Sequence, residues 1–211
     1  MPQIEGLRIR NYKALRDVTL GRLWDSRQVE SLSPLTAVIG KNGVGKSTLF
    51  DAFGFLSDCL NLGVEAACDA HDRGGFGRLQ SQGVHEPISF DIYYREEPTS
   101  RPITYHVSFN LDKDDRPYVE SERLRQRRYK QSNGQPYSFL WLDAGRGRVW
   151  RGMGVREPDD ARVDELMRDE QPDSDWIELD DNRRLGIATL GQLTQHPRIS
   201  SFRQFIEGWY G

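Results

Sequence analysis

The first segment, IEGLRIRNYKAL, sets Ile4, Leu7 and Ile9 among polar neighbours, a pattern that predicts a strand. LRDVTL predicts a second strand. After the polar loop WDSRQVESLSP comes LTAVIG, a short apolar run rich in β-branched residues, as expected of a strand buried on both faces. From Lys46 the period changes. Leu49, Phe53, Leu56 and Leu60 recur along one face of a helix, and Gly63 is placed to stop it.

A glycine-punctuated loop, DAHDRGGFGRLQSQG, follows, and the chain then turns to strand patterning. In ISFDIYYR, Ile88, Phe90, Ile92 and Tyr94 share a face; in ITYHVSFNL, Ile103, Tyr105, Val107, Phe109 and Leu111 do the same. EEPTSRP reads as the hairpin loop between them, and YVESERLRQRRYK continues the meander. YSFLWLDAGRGRVWRG places two apolar arms around Asp143–Gly147, a further hairpin signal. Residues 156–182 carry twelve acids and three arginines, which predicts a solvated or mobile insertion. LGIATLGQL and ISSFRQFIEGWYG are helix-like.

Composition narrows the class without deciding it. Hydrophobic residues make up 36% and charged residues 29%, the balance of a charged globular protein. A formal net charge of -3 gives no electrostatic signature of a nucleic-acid binder. Neither a signal-like apolar core at the N-terminus nor a run of roughly 18 apolar residues is present, so no membrane partner is expected. Cys59 and Cys68 have no zinc-type spacing and read as reduced thiols of a cytoplasmic protein. The four histidines, His71, His85, His106 and His196, are scattered.

The chemistry concentrates in one stretch. Gly40-Lys41-Asn42-Gly43-Val44-Gly45-Lys46-Ser47 matches G-x-x-x-x-G-K-[ST], between a β-run and an amphipathic helix. Glycines let the backbone wrap so that successive N–H groups from about Gly43 to Ser47 form an anion nest. The following helix aims its positive end at the same charge. Lys46 is placed to reach β- and γ-phosphates, the Ser47 hydroxyl to ligate Mg²⁺, and Thr48 to sit near the α-phosphate. The expectation is an ATP site.

The flanks carry a resemblance. GKNGVGKSTLFDAF resembles the G-x-N-G-x-G-K-S/T loop of ABC-type AAA family ATPases of the RecF, SMC and OLD kinds. IEGLRIRNYKALRDVTL resembles their opening strand phrase, and HDRGGFGRL and TLGQL resemble segments of bacterial ATPases of the same group. The resemblance implies an α/β P-loop NTPase fold. It would be an ABC-type lobe I, with an antiparallel β-subdomain beside a core sheet carrying the phosphate loop, and with the C-terminal lobe missing. The corresponding divisions are a P-loop core at 1–63, a β-subdomain at about 85–152, an acidic insertion at about 156–182 and C-terminal helices at 185–211. Carried over position by position, Lys13 would approach the phosphates, Asn42 would lie in the loop and Arg73 would flank the nucleotide. Gln192 is the best-placed candidate for a glutamine touching Mg²⁺ and the attacking water. A turn arginine at Arg73 and an ordinary helix-surface glutamine at Gln192 remain alternatives.

Other parts of such an ATPase are not found. SFLWLDAG offers an apolar run and Asp143, but Ala144 stands where a catalytic glutamate should follow; WIELDD breaks its run at Glu178, and no LSGGQ-like phrase occurs. The resemblance therefore implies an ATP-binding lobe that hydrolyses ATP only with a C-terminal lobe, in cis or as a separate chain, within a homodimer or larger assembly. DNA repair, chromosome maintenance and anti-phage defence are the roles it suggests. The competing reading is a nucleotide-dependent module that binds nucleic acid without turnover. Arg123, Arg125 and Arg127 of ERLRQRRYK would share one strand face and follow the phosphates, duplex DNA being the possible partner.

Overall fold

The computed structural model describes residues 2–26, 29–34, 36–39, 45–127, 136–150 and 174–208. Among these, eight strands form one antiparallel sheet in the order β2-β1-β3-β4-β5-β6-β7-β8. The strands are β1 (Gln3–Tyr12), β2 (Leu15–Gly21), β3 (Ile88–Arg95), β4 (Ile103–Leu111), β5 (Pro117–Gln126), β6 (Tyr137–Asp143), β7 (Arg146–Trp150) and β8 (Ser174–Glu178). From β3 onward each strand pairs with its successor, the arrangement that short hairpin links impose. The first hairpin enters reversed, so that β1 lies between β2 and β3.

Helices cover one face. They are α1 (Lys46–Leu62), α2 (Val64–Asp69), α3 (Phe76–Leu79), α4 (Gly186–Leu190) and α5 (Pro197–Glu207). Alternation on β3 and β4 sends Ile88, Phe90, Ile92, Tyr94, Ile103, Tyr105, Val107 and Phe109 into the core. There Phe55 of α1 meets Phe109 and Tyr12 at ring-centroid distances of 5.4 and 5.6 Å. Phe202 of α5 meets Tyr105 at 4.8 Å and Tyr94 at 5.4 Å. Two helices thus share the same central strands, α1 near one end and α5 near the other.

A buried carboxylate docks α4. Glu122 points to the core side of β5 and accepts the Gly186 and Ile187 N–H groups at 2.5 and 3.1 Å, with the Tyr105 hydroxyl donating at 3.0 Å. Complete burial pushes its carboxyl up to about 7, against the pull of these donors.

Several expectations change. Thr36–Ile39 of LTAVIG is not a strand: it is exposed, Ile39 to 92%. An apolar run becomes a buried strand only when ladder partners lie on both sides, and among the described residues none pairs with it. Among the described residues β1 and β2, from the stretch expected to form the P-loop core, join β3 to β8 in one sheet. The α1 stripe is centred on Ala52, Phe55, Leu56 and Cys59 as well as Leu49 and Leu60, with Phe53 at its rim. Helix α2 was not anticipated, and α3 forms inside the expected glycine loop. The end of the acidic segment is ordered as β8 on β7, Arg148 opposite Trp176; residues 156–173 of that segment lie outside the described residues.

Candidate functional site

Gly45 is the N-cap of α1, with φ 96°, a left-handed conformation that glycine adopts without penalty. A methyl group added there would stand 3.1 Å from the Leu15 side chain, so the loop exit lies against the start of β2. Among the described residues no side chain caps α1, and its first turn contains no acid. Lys46, Ser47 and Thr48 open the helix, with Ser47 exposed. The aligned peptides of this seventeen-residue helix direct their amide donors and positive end toward that turn. Gly40, Lys41, Asn42, Gly43 and Val44 lie outside the described residues. The fit to a triphosphate is good on this observation: donors, helix polarity and the Ser47 hydroxyl suit an anion with its cation, and no carboxylate in the turn opposes it.

Behind this turn sits an ionic cluster built on Asp51. Asp51 is five residues beyond Lys46, about 7.5 Å further along the axis. Its Oδ2 accepts the Lys13 ammonium at 2.6 Å and the Tyr12 hydroxyl at 2.7 Å; its Oδ1 accepts Arg73 Nε at 2.9 Å. Arg73 also reaches Asp58 at 2.5 Å and the Ala67 carbonyl at 3.0 Å. Asp51 and Asp58 are seven residues apart, hence on one helix face. Partial burial pushes the Asp51 carboxyl up, but the hydrogen bonds from Lys13, Tyr12 and Arg73 outweigh it and hold it below its usual range. Desolvation opposes the charge of Arg73, and its two aspartates more than restore it.

Local backbone places both cations. Lys13 lies in the two-residue turn between β1 and β2, with φ 48°, and Asn11 before it has φ 62°. The end of α3 and the loop after it clamp this turn: Lys13 N–H donates to the Leu79 carbonyl at 2.6 Å, Ser81 Oγ to the Lys13 carbonyl at 2.8 Å, and Asn11 to the Glu86 carbonyl. Arg73 stands between His71 and Asp72, at φ 53° and 58°, and Gly74 and Gly75, at φ 75° and 92°. Such backbone persists in non-glycine residues only where surrounding contacts hold it. Here the buried guanidinium supplies them, its side chain 3% exposed and 5.7 Å from the Phe55 ring centroid.

Of the residues expected at the site, Gly45, Lys46, Ser47 and Thr48 stand together at the α1 amino end, and Lys13 and Arg73 meet on Asp51 behind it. Both cations hold aspartates in this structure, so Arg73 is a buried clamp of α1 rather than an exposed turn arginine. Gln192 is separate from the cluster: it is exposed in the turn after α4, with its N–H on the Thr189 carbonyl at 3.3 Å. Sequence reading passed over Tyr12, Asp51 and Asp58. The available signal was a pair of acids seven apart inside an otherwise apolar helix. Arg123 and Arg125 share the outer face of β5, whereas Arg127 lies past the strand end and donates to the Trp24 carbonyl at 3.0 Å.

The model of the family described as "AAA domain, putative AbiEii toxin, Type IV TA system" matches residues 35–198, from the start of the glycine-rich stretch to the beginning of α5. No curated protein matches the chain.

Proposed function

Since the chain belongs to this AAA domain family and is an ATP-binding AAA-type ATPase domain, we propose that it is an ABC-type member of the RecF, SMC and OLD kind, completed for turnover by a C-terminal lobe or a partner chain. The uncapped, acid-free amino end of α1, continuous with the G-x-x-x-x-G-K-S stretch, carries the nucleotide-site reading. In it the first-turn amides and Lys46 hold the phosphates and Ser47 holds Mg²⁺, which neutralises phosphate charge when bound. Lys13 and Arg73 keep α1 and the β1–β2 turn at a fixed spacing beneath that end.

Two observations support completion by a further lobe. Ala37, Val38 and Ile39 form an exposed apolar run that a neighbouring strand would cover. Asp143 ends β6 at a hairpin turn, with Trp141 Nε1 donating to it at 2.9 Å, so it does not stand where a Walker B aspartate would. Phosphoryl transfer depends on groups that orient water and stabilise charge, and losing one such donor costs about two to three orders of magnitude in rate. The assembly is a homodimer or larger, and its role lies in DNA maintenance or anti-phage defence.

The test is calorimetry and phosphate release on residues 1–211. ATP·Mg²⁺ should bind the wild type and not Lys46→Ala, with negligible turnover. Equal affinity in the two proteins would remove the site. Turnover near 1 s⁻¹, roughly the low end of ordinary enzymes, that Lys46→Ala abolishes would remove the need for a further lobe.

A further inference from the structure

The outer face of the sheet, opposite the helices, carries a cross-strand row. Register places Arg123 of β5 opposite Trp141 of β6, Trp141 opposite Arg148 of β7, and Arg148 opposite Trp176 of β8. Directly opposed residues of neighbouring strands stand about 5 Å apart. A ligand crossing the strands at right angles therefore meets cation, ring, cation, ring in turn. The rings are open to solvent, Trp141 to 43% and Trp176 to 67%. Arg123 already stacks on Trp141, its guanidinium carbon 4.7 Å from the ring centroid.

Among the described residues arginines outnumber carboxylates on this half of the face. Asp143 stands 3.8 Å from Arg123, and Glu178 pairs with Arg146 at 2.8 Å. Among the described residues Arg148 donates to the Ser174 hydroxyl at 3.2 Å, and no hydrogen bond or ion pair to a carboxylate joins Arg125. Partial burial and the neighbouring Arg123 lower the Arg125 pKa, and the Asp91 carboxylate only partly offsets them. The whole chain is net negative, so this surplus of arginine is local.

We propose that the β5–β8 half of the open sheet face binds single-stranded nucleic acid, with bases stacked on Trp141 and Trp176 and phosphates held by Arg125 and Arg148. Single strands fit better than duplex because stacking on a ring needs an unpaired base face, and because flat cation–aromatic platforms tolerate any base. This goes beyond the three-arginine stripe expected from the sequence, since the rings come from different hairpins and Arg127 is directed elsewhere. It does not depend on the nucleotide site.

Fluorescence anisotropy with labelled oligo-dT and oligo-rU of about 20 nucleotides, an ample length for such a platform, tests it on the whole chain. Both should bind at low salt, within about tenfold of each other. Trp141→Ala and Trp176→Ala should each weaken binding about tenfold. Arg125→Ser with Arg148→Ser should reduce the salt slope by about 0.7 per lost phosphate contact. Lys46→Ala should bind the oligomers like wild type, which separates failure here from failure of the ATP site. Circular dichroism melts identify any variant that has lost its fold; Trp176→Ala, at an exposed edge position, keeps the test open if Trp141→Ala does not fold. Three outcomes overturn the proposal: no binding at low salt, duplex bound more tightly than single strands, or folded Trp176→Ala binding as wild type. Sedimentation showing a dimer that Trp176→Ala dissociates, without oligomer binding, would assign the face to a second copy of this chain.

Discussion

Arg73 reaches Asp51 across 22 residues of chain, Nε to Oδ1 at 2.9 Å, while its other arm holds Asp58 two turns further along the same helix. The other oxygen of Asp51 holds Lys13 from the first hairpin. One aspartate thus joins three segments, the β1–β2 turn, helix α1 and the loop at 71–75, just behind the end of α1 that carries Lys46 and Ser47.

Removing the guanidinium should be costly. Arg73→Met preserves much of the packing volume but leaves two aspartates without their shared buried partner, and breaking such an arrangement costs about 3 kcal/mol. Urea denaturation should show the loss at pH 7. It should shrink in an Asp51→Asn, Asp58→Asn background, where fewer charges are left unpaired. A cost below about 0.5 kcal/mol, the ordinary range for surface changes, would show that the clamp does not hold α1.

Glu122 gives a pH dependence of defined sign. Its folded pKa, raised to about 7, lies above the unfolded carboxylate value, so the folded state binds the extra proton. The resulting stability is fully present below the unfolded pKa and is lost as pH rises through about 7. Glu122→Gln cannot ionise. The wild-type minus Glu122→Gln difference in unfolding free energy should therefore fall between about pH 4.5 and pH 8. A difference that stays constant over that window would mean Glu122 keeps an ordinary pKa.

Nucleotide binding should appear as stabilisation. At a concentration 100 times its Kd, a ligand of the folded state adds about 2.7 kcal/mol. ATP with Mg²⁺ should raise the melting temperature of the wild type and leave that of Lys46→Ala unchanged. Ser47→Ala should retain some ATP stabilisation and lose its dependence on Mg²⁺. An equal shift in wild type and Lys46→Ala would place the nucleotide away from α1.

The β6–β7 turn is strained at one position. Ala144 and Gly145 have φ 48° and 79°, the left-handed pair of a two-residue hairpin loop. Alanine pays about 1 kcal/mol or more for that conformation, which asparagine tolerates. Ala144→Asn should stabilise by roughly 0.5 to 1 kcal/mol in denaturant melts. Gly145→Ala should destabilise, its new methyl lying 3.2 Å from the Asn182 Cβ at a positive φ.

Period and punctuation by themselves determined most of the local elements. Ile88–Arg95 and Ile103–Leu111 alternate cleanly because one face is core and the other polar, and the strands occupy those residues. The shift to helical period at Lys46, after glycines and before Leu49, placed the start of α1 and the phosphate-binding chemistry together. These are near-neighbour properties, set by side-chain direction and backbone freedom within a few residues. Relationships across long sequence separations came from packing. Thr36–Ile39 has the composition of a buried strand, yet burial requires neighbours that composition does not supply. The acidic tract reads as solvated, but Trp176 and Ile177 gain ladder partners on β7 and order its end. Lys13 and Arg73 were legible as cations near the site; that both close on Asp51 follows from how the first hairpin and the 71–75 loop pack on α1. The alternating arginine and tryptophan row is invisible along the chain for the same reason: register across three strand pairings creates it, and register is fixed by which faces the whole sheet can bury.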